Sequence, residues 1–174
     1  DGINRVNNVV HVLPDIPDLT ESEMNRYRGE LLFMRAFHHF RLVRLFGDVP
    51  IKTEPSLSTE NLDVTRDPVN DVYDQIVDDL TTAEELLETG GSPGFASKGA
   101  AAAMLARVYL YRENWEMAKQ KATEVINDFG YEIDPDYSNL FSGTGSSEII
   151  FEIMFNSQDR NRLAEYFFTR KLSG

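Results

Sequence analysis

The chain has 174 residues, 41% of them hydrophobic and 11% aromatic, which suits one folded domain with a core of its own. It carries 17 basic and 29 acidic residues, a formal net charge of −12, and this balance disfavours binding to nucleic acid or to anionic lipid. The absence of cysteine excludes disulfides and thiol chemistry. No stretch approaches the roughly 20 consecutive apolar residues of a transmembrane helix.

The first two predicted helices are separated by a proline-containing turn. Apolar residues recur at steps of three and four over residues 3–13, which predicts a helix that ends before the proline. A second helix is predicted to begin after Thr20, whose short side chain suits a cap followed by acids, and to run to Phe46. Gly47 suits the left-handed position after a helix, and Pro50 prevents the helix from continuing.

Apolar side chains are predicted on two faces of this second helix. One face carries Phe33, Phe37 and Phe40, and the other carries Leu31, Met34, Leu42 and Leu45. A helix that is apolar on two sides is expected to be surrounded by protein. The connection that follows, residues 47–66, is long and irregular, which is typical of surface or binding loops.

Three shorter helices are predicted in the middle of the chain. Asp67 and Pro68 indicate a capped start with proline in the first turn, and apolar residues then repeat at helical spacing over residues 69–87. Acidic residues fall outside that stripe. After a glycine-rich break, two helices are predicted at residues 98–112 and 115–128.

These last two helices match the core spacing of a tetratricopeptide repeat. The matching residues are Leu105, Ala106, Tyr109, Trp115, Ala118, Ala122 and Val125. Small residues at the crossing allow two helix backbones to approach closely, and the aromatic residues fill the ends of the gap. The second and third helices are predicted to form a degenerate preceding repeat. Residues 148–155, EIIFEIMF, are predicted as the one convincing strand, and the tail to Arg170 as helical.

Several segments together resemble one family. Residues 28–51, RGELLFMRAFHHFRLVRLFGDVPI, are similar to the hallmark helix of the SusD/RagB family of surface nutrient-binding lipoproteins. The segments TRDPVNDVYDQIVDDLTTAEELL, KGAAAAMLARVYLY, FGYEI, YSNLF and EIIFEI follow in the family's order.

The resemblance covers about residues 4–155 and implies a SusD-like α/α repeat. The expected fold class is mainly α, with tetratricopeptide-like antiparallel helix hairpins and one or two short peripheral strands. Because family members are considerably longer, residues 1–174 are expected to be a single helical repeat domain and a fragment of a longer protein.

The resemblance also implies a function. Family members are non-catalytic, need no cofactor, and sit at the outer membrane on the cell-surface face, held by a lipid anchor that is absent from this chain. They bind an oligosaccharide, or in some cases a peptide, and pass it to a SusC-like TonB-dependent β-barrel transporter. The helical part is mainly scaffold and transporter-docking surface, so no ligand-binding, catalytic or metal-binding residue is carried over. The positions that match the family as structural residues are Arg35, Gly47, Asp48, Pro50 and Asp79.

A second functional class is a tetratricopeptide-type adaptor that holds a peptide or helix in a groove. Such grooves need an array of several regular repeats, and stable arrays need about three or more. Only one repeat here is regular, which favours nutrient binding over an adaptor.

Several histidine, aspartate and glutamate residues could serve in catalysis or metal binding, but in the predicted helices they are expected to have structural roles. These groups are His11, His38, His39, Asp78, Asp79, Glu84 and Glu85. The adjacent histidines diverge by about 100° on a helix and cannot share a metal. The acidic pairs resemble general acid and base carboxylates, but on an acidic amphipathic helix they are expected on a solvated face.

Three groups of residues outside the predicted helix cores are candidates for metal, phosphate or ligand binding. They are Asp134, Asp136 and Asn139, the glycine-rich residues 142–146, and the aromatic residues Trp115, Tyr131, Tyr137, Tyr166, Phe167 and Phe168. The acids have the alternate spacing of a calcium loop but lack its glycine and terminal glutamate. Residues 142–146 lack the lysine of a phosphate loop and precede a strand pattern, so they are expected to be a flexible loop. Trp115 is expected to pack at the hairpin turn, and the other aromatic residues are better placed for ligand contact.

Overall fold

A computed structural model describes residues 2–56, 64–141, 145–155 and 158. Its α-helices are α1 (Gly2–Val12), α2 (Glu21–Phe46), α3 (Val69–Leu86), α4 (Lys98–Tyr111) and α5 (Trp115–Asp128), and short 3-10 helices occupy Leu13–Asp15 and Tyr137–Phe141. Each α-helix packs against the next one in chain order. The mainly α fold class and the helix hairpins are therefore confirmed.

Both predicted ends of α2 are confirmed. The Thr20 hydroxyl accepts a hydrogen bond from the Glu23 amide at 3.2 Å, and the Glu23 carboxylate accepts one from the Thr20 amide at 3.0 Å. This reciprocal capping box satisfies donors that the first turn leaves unpaired. At the other end Gly47 has φ of 70°, and its amide donates to the Val43 carbonyl at 3.0 Å. A side chain with a Cβ would be strained at that backbone angle.

The core lies between α2, α3 and α4. Its most buried side chains are Phe33, Ala36, Phe40, Val72, Ile76, Leu80, Ala83, Ala101, Leu105 and Val108. The aromatic face of α2 is thus buried as predicted, apart from Phe37, which is half-buried. The prediction that the aliphatic face is also surrounded by protein is wrong for Leu45, which lies in the last turn of α2 and is 71% exposed.

The long connection between α2 and α3 is closed at its base. Val49 and Asp67 form an isolated antiparallel bridge, with the Asp67 amide donating to the Val49 carbonyl at 3.1 Å. The Asp67 carboxylate accepts from the Ile51 amide at 2.6 Å, so it does not cap α3 as predicted. Asp48 caps that helix instead, since its carboxylate accepts from the Val69 amide at 3.0 Å.

The α4–α5 hairpin forms as predicted, but α5 buries few side chains. Ala118 and Val125 are buried against the hairpin, and Asn114 caps the start of α5 through a 3.2 Å bond from the Met117 amide. Trp115 is 62% exposed, so its predicted packing at the hairpin turn is wrong. The described residues contain no helix on the outer side of α5 for this ring to pack against.

The predicted strand at residues 148–155 is wrong. This segment begins in a turn and belongs to no ladder, and the described ranges contain no strand. Phe151 packs edge-on to Phe33 with the ring centroids 5.0 Å apart, and the Glu152 amide donates to the Pro93 carbonyl at 2.9 Å. Ile150 and Phe151 therefore pack against the helical core rather than in a sheet, whereas residues 153–155 are exposed. The tail predicted as helical, to Arg170, lies outside the described residues.

Candidate functional site

A buried ion pair joins the middle of α2 to the middle of α3. Arg35 donates through Nε to Oδ2 of Asp79 at 2.8 Å and through Nη2 to Oδ1 at 2.6 Å. The two side chains are only 8% and 4% exposed, and Gln75 donates a further bond to Oδ1 at 3.0 Å. A bidentate guanidinium–carboxylate pair fixes the orientation of both partners, so the two helices are locked in register here.

The same guanidinium anchors the long connection. Its Nη1 donates to Oδ1 of Asn7 and to the carbonyl of Thr53, both at 3.2 Å. The Asn7 amide nitrogen in turn donates to the carbonyls of Lys52 and Glu54, at 3.0 and 3.1 Å. One buried network therefore holds α1, α2, α3 and the backbone of residues 52–54 together.

Of the two adjacent histidines of α2, His39 extends this network. His39 is fully buried, and its Nε2 accepts from the Lys52 amide at a long 3.4 Å. Burial lowers the pKa of His39, and the nearby Asp79 carboxylate opposes the shift only in part. His38 is half-buried, and its pKa is also lowered, first by burial and then by Arg41. Burial therefore favours the neutral form of both imidazoles.

A cleft opens where α2 begins and α3 ends. It has a volume of about 770 Å³. Its side-chain lining includes Glu23, Arg26, Tyr27, Glu30, Glu88 and Phe95. The glycine-rich break after α3 contributes backbone to the same opening. Aromatic and charged groups together give the cleft a mixed surface that suits a polar ligand with an apolar portion.

An apolar pocket adjoins this cleft along α2. It has a volume of about 310 Å³ and lies between α1, the following 3-10 turn and α2. Its apolar lining comprises Val9, Leu13, Ile16, Leu19, Leu31 and Met34. Tyr27 and Glu30 line both hollows, so these two side chains form a wall shared by the cleft and the pocket.

The charges on the shared wall are loosely matched. The Arg26 Nε lies 3.9 Å from Oε1 of Glu30, and the guanidinium stacks on the Tyr27 ring at 4.7 Å from its centroid. The Arg26 side chain is 56% exposed and that of Glu30 only 25%. Burial raises the pKa of Glu30, and Arg26 opposes the shift. Glu30 is thus a half-buried carboxylate with a distant, solvated cation.

Comparison with known proteins decides the family. Residues 1–110 match a family model described as SusD-like, starch-binding and associating with the outer membrane. The chain belongs to the SusD-like family. SusD-like protein P2 of Formosa agariphila is 38% identical over 146 residues, which are 79% of this chain and 29% of that protein. The starch-binding protein SusD of Bacteroides thetaiotaomicron is 30% identical over 131 residues, 71% of this chain and 23% of that protein.

Solved structures agree with the fold. A laminarin-binding SusD-like protein superposes with a TM-score of 0.80 and 33% identity, over 86% of this chain and 34% of that chain. The curated SusD-like relatives are therefore much longer, and this chain spans 29% of the length of P2. No helix within the described ranges combines the length and apolarity needed to cross a membrane.

The positions that matched the SusD-like hallmark have structural contacts. Arg35 and Asp79 form the buried pair, Gly47 ends α2, and Asp48 caps α3. Pro50 lies just beyond the bridge that closes the connection. Arg35, Asp79 and Asp48 act through their side chains and Gly47 through its backbone, and together they shape the α2–α3 hairpin of this SusD-like chain.

The acidic pairs on α3 divide between surface and interior. Asp78 and Glu85 are exposed as predicted, whereas Asp79 and Glu84 are buried, so the solvated-face prediction is wrong for these two. Lys121 of α5 donates to both Glu84 oxygens, at 2.7 and 2.8 Å. Burial alone lowers the Lys121 pKa, but hydrogen bonds to the carboxylates around it produce a net rise. Each buried acid is thus neutralised by a cation of another helix.

The acids after α5 organise a loop. Asp134 accepts hydrogen bonds from the Ser146 hydroxyl at 2.7 Å, the Asp136 amide at 3.0 Å and the Asn139 side chain at 3.0 Å. These bonds lower the pKa of Asp134, with Ser146 contributing most. In the ranges that the structure describes, no cluster of three or more His, Cys, Asp or Glu is placed to hold a metal ion. Residues 142–144 lie outside these ranges.

The loop aromatic residues differ in accessibility. The Tyr131 hydroxyl lies 3.2 Å from that of Ser97, and a Cβ on Gly99 would lie 2.6 Å from the Tyr131 ring. Tyr131 therefore packs against the start of α4 and is not available as predicted. Tyr137 is 72% exposed, and its ring centroid lies 5.3 Å from that of Phe141. The remaining predicted aromatic residues, Tyr166, Phe167 and Phe168, lie outside the described residues.

Proposed function

We propose that the polypeptide to which this chain belongs is a non-catalytic glycan-binding protein that delivers oligosaccharide to a TonB-dependent outer-membrane transporter. The likeness to the laminarin-binding SusD-like protein, 33% identical over 86% of this chain, carries this proposal. The match of residues 1–110 to a starch-binding family that associates with the outer membrane supports it.

The role proposed for this chain is scaffold and transporter docking. Its buried network holds the first three helices and the start of the α2–α3 connection in one arrangement. Rigid packing of this kind presents a fixed outer surface to a partner and fixed attachment points for loops elsewhere in the polypeptide. Residues 1–174 are proposed to be one helical repeat domain of that longer polypeptide.

The proposed location is the cell-surface face of the outer membrane, with a lipid anchor outside this chain. The chain's net charge of −12 disfavours direct adsorption to anionic lipid, which fits attachment through an anchor and a protein partner. An oligosaccharide is the proposed ligand, with peptide as the second ligand class for the whole polypeptide.

The partner is tested by purifying the tagged full-length polypeptide from detergent-solubilised native membranes. Mass spectrometry should identify a large β-barrel transporter that is absent from an untagged control. Recovery of soluble cytoplasmic proteins with no membrane association would overturn the import role and favour an adaptor.

The ligand is tested by native electrophoresis of the full-length polypeptide in gels that contain laminarin, soluble starch or no glycan. Retarded migration in at least one glycan gel is expected, relative to an unrelated acidic protein of similar size. Unchanged mobility in a broad glycan panel, with binding to a peptide mixture, would replace glycan by peptide as the ligand.

A further inference from the structure

The wall formed by Tyr27 and Glu30 separates two hollows of opposite character. The two residues are three positions apart on α2 and so lie on one helix face. On one side is the cleft of about 770 Å³, and on the other is the apolar pocket of about 310 Å³. We propose that these two hollows together bind a linear peptide segment of a partner protein in which a large apolar side chain stands next to a lysine or arginine.

The apolar pocket has the size of a side-chain receptor. Its volume is at the lower end of the roughly 300–1,000 Å³ of small-molecule sites, so it accepts one side chain rather than a whole sugar chain. Six of its eight lining residues are apolar, and only Tyr27 and Glu30 offer hydrogen-bonding side-chain groups, whereas the hydroxyls of a buried sugar each need a partner. Val9 and Ile16, at its rim, are 42% and 41% exposed, so the pocket is open to solvent.

The cleft has the complementary charge for a cation. Four glutamates line it against one arginine, Arg26. The most buried of these carboxylates is that of Glu30, whose ion pair with Arg26 spans 3.9 Å. A lysine or arginine from a ligand would approach Glu30 more closely than Arg26 does, and its charge would be better desolvated there. Burial raises the pKa of Glu30, which is consistent with a carboxylate that a closer cation would stabilise.

The geometry of an extended peptide matches the two hollows. Successive side chains of an extended chain project to opposite sides. A peptide that runs along the wall formed by Tyr27 and Glu30 therefore places one side chain in the pocket and the next in the cleft. This site is separate from the proposed glycan-binding function and does not depend on it.

The probes are fluorescein-labelled, capped tetrapeptides with the central pair Leu-Lys, Leu-Glu or Gly-Lys. Their binding to the full-length polypeptide is measured by fluorescence anisotropy. We expect the Leu-Lys peptide to bind at least about tenfold more tightly than either of the others. Glu30→Gln should weaken its binding by about tenfold, because the carboxylate is replaced by a neutral group of the same shape.

Two further variants separate the halves of the site. Ile16→Lys places a cation at the rim of the pocket and should weaken the Leu-Lys peptide, and the partial exposure of this position makes the change tolerable to the fold. Glu85→Gln, on the exposed side of α3, is the matched control for charge and should leave binding unchanged. Circular dichroism of each variant verifies that the helices are retained.

Several results would overturn the proposal. Equal affinity for the Leu-Lys and Leu-Glu peptides, or no binding of the Leu-Lys peptide up to about 1 mM, would do so. Insensitivity to Glu30→Gln would also do so. If Glu30→Gln abolished migration shifts in laminarin gels together with peptide binding, the hollows would belong to a glycan site. Loss of peptide binding with unchanged laminarin shifts supports the peptide site and leaves the glycan proposal standing.

Discussion

At the residue scale, Asp78 and Asp79 are adjacent in the chain but occupy opposite environments. Asp79 is 3% exposed and paired with Arg35, whereas Asp78 is exposed. Removing one partner of a buried pair leaves an uncompensated charge and costs about 3–5 kcal/mol. We expect Asp79→Asn to lower the free energy of unfolding by that amount in urea titrations.

Asp78→Asn is the matched control, and its effect should stay within about 0.5 kcal/mol, as for ordinary surface substitutions. Similar losses for the two variants would mean that the Arg35–Asp79 pair does not stabilise the hairpin.

His39 gives the stability a pH dependence of defined sign. Because burial lowers its pKa in the folded state, the unfolded chain takes up the proton first as the pH falls. Its stabilising contribution is complete above the unfolded pKa of about 6.5 and is lost as the pH drops below it. We expect the Tm to fall between about pH 7.5 and about pH 5.5, and to fall less in His39→Gln.

His38→Gln is the comparison, since the pKa of this half-buried histidine is shifted in the same direction. It should reduce the pH dependence less than His39→Gln does. If the Tm of His39→Gln fell between these two pH values by as much as that of the unmodified protein, His39 would keep its ordinary pKa in the folded state.

The sequence identifies Arg35 and Asp79 as important positions but not their partners. Asn7 lies 28 residues from Arg35, and its bonds reach backbone carbonyls at residues 52 and 54. Such partners depend on how helices meet in three dimensions. The burial of Glu84 rather than Glu85 has the same origin, because Lys121 on α5 decides which acid is neutralised. The cleft between α2 and α3 likewise has no local sequence signal.

At the element scale, the α4–α5 hairpin tests the repeat assignment. Ala118 is 9% exposed where the two helices meet, and Ala122, one turn later, is exposed. Added methylenes in a packed interface cost about 1–3 kcal/mol. We expect Ala118→Leu to lower the free energy of unfolding by that amount, measured by thermal and urea unfolding.

The prediction that Ala122 lies at the close crossing is wrong, because this residue is exposed. Ala122→Leu introduces the same side chain at that exposed position and should have almost no effect. Equal stability of both variants would mean that the helices do not approach closely at Ala118, and it would remove the support for a tetratricopeptide-like hairpin.

Helix ends were predictable because their signals are local. Thr20 and Gly47 act through bonds to residues three or four positions away, which a sequence displays directly. The strand prediction at residues 148–155 failed because an apolar, β-prone segment still needs a partner edge. The helical core offers Phe33 and Phe37 as contacts for Phe151 instead. The sequence likewise could not show that Asp48 rather than Asp67 caps α3, because that depends on how the α2–α3 connection folds.

At the scale of the whole molecule, the chain carries a net charge of −12, and the described acids of α3 lie mostly at the surface. The exposed acids of α3 and its end are Asp71, Asp74, Asp78, Glu85 and Glu88. The two buried acids of this helix are paired with Arg35 and Lys121, so its unpaired negative charge is in contact with solvent. Like charges at the surface destabilise the compact state through mutual repulsion, which salt screens.

We therefore expect the Tm to rise between about 20 mM and about 500 mM NaCl, where the Debye length shortens from roughly 20 Å to about 4 Å. The buried Arg35–Asp79 pair is screened far less than surface charges, so Asp79→Asn should lower the Tm at both salt concentrations. The double variant Asp78→Asn and Glu85→Gln removes two exposed charges away from the helix start, and it should raise the Tm at low salt while reducing the salt increment. A Tm that falls with NaCl would mean that exposed pairs such as Arg112–Asp74, at 2.7 Å, outweigh the repulsion among the surface acids.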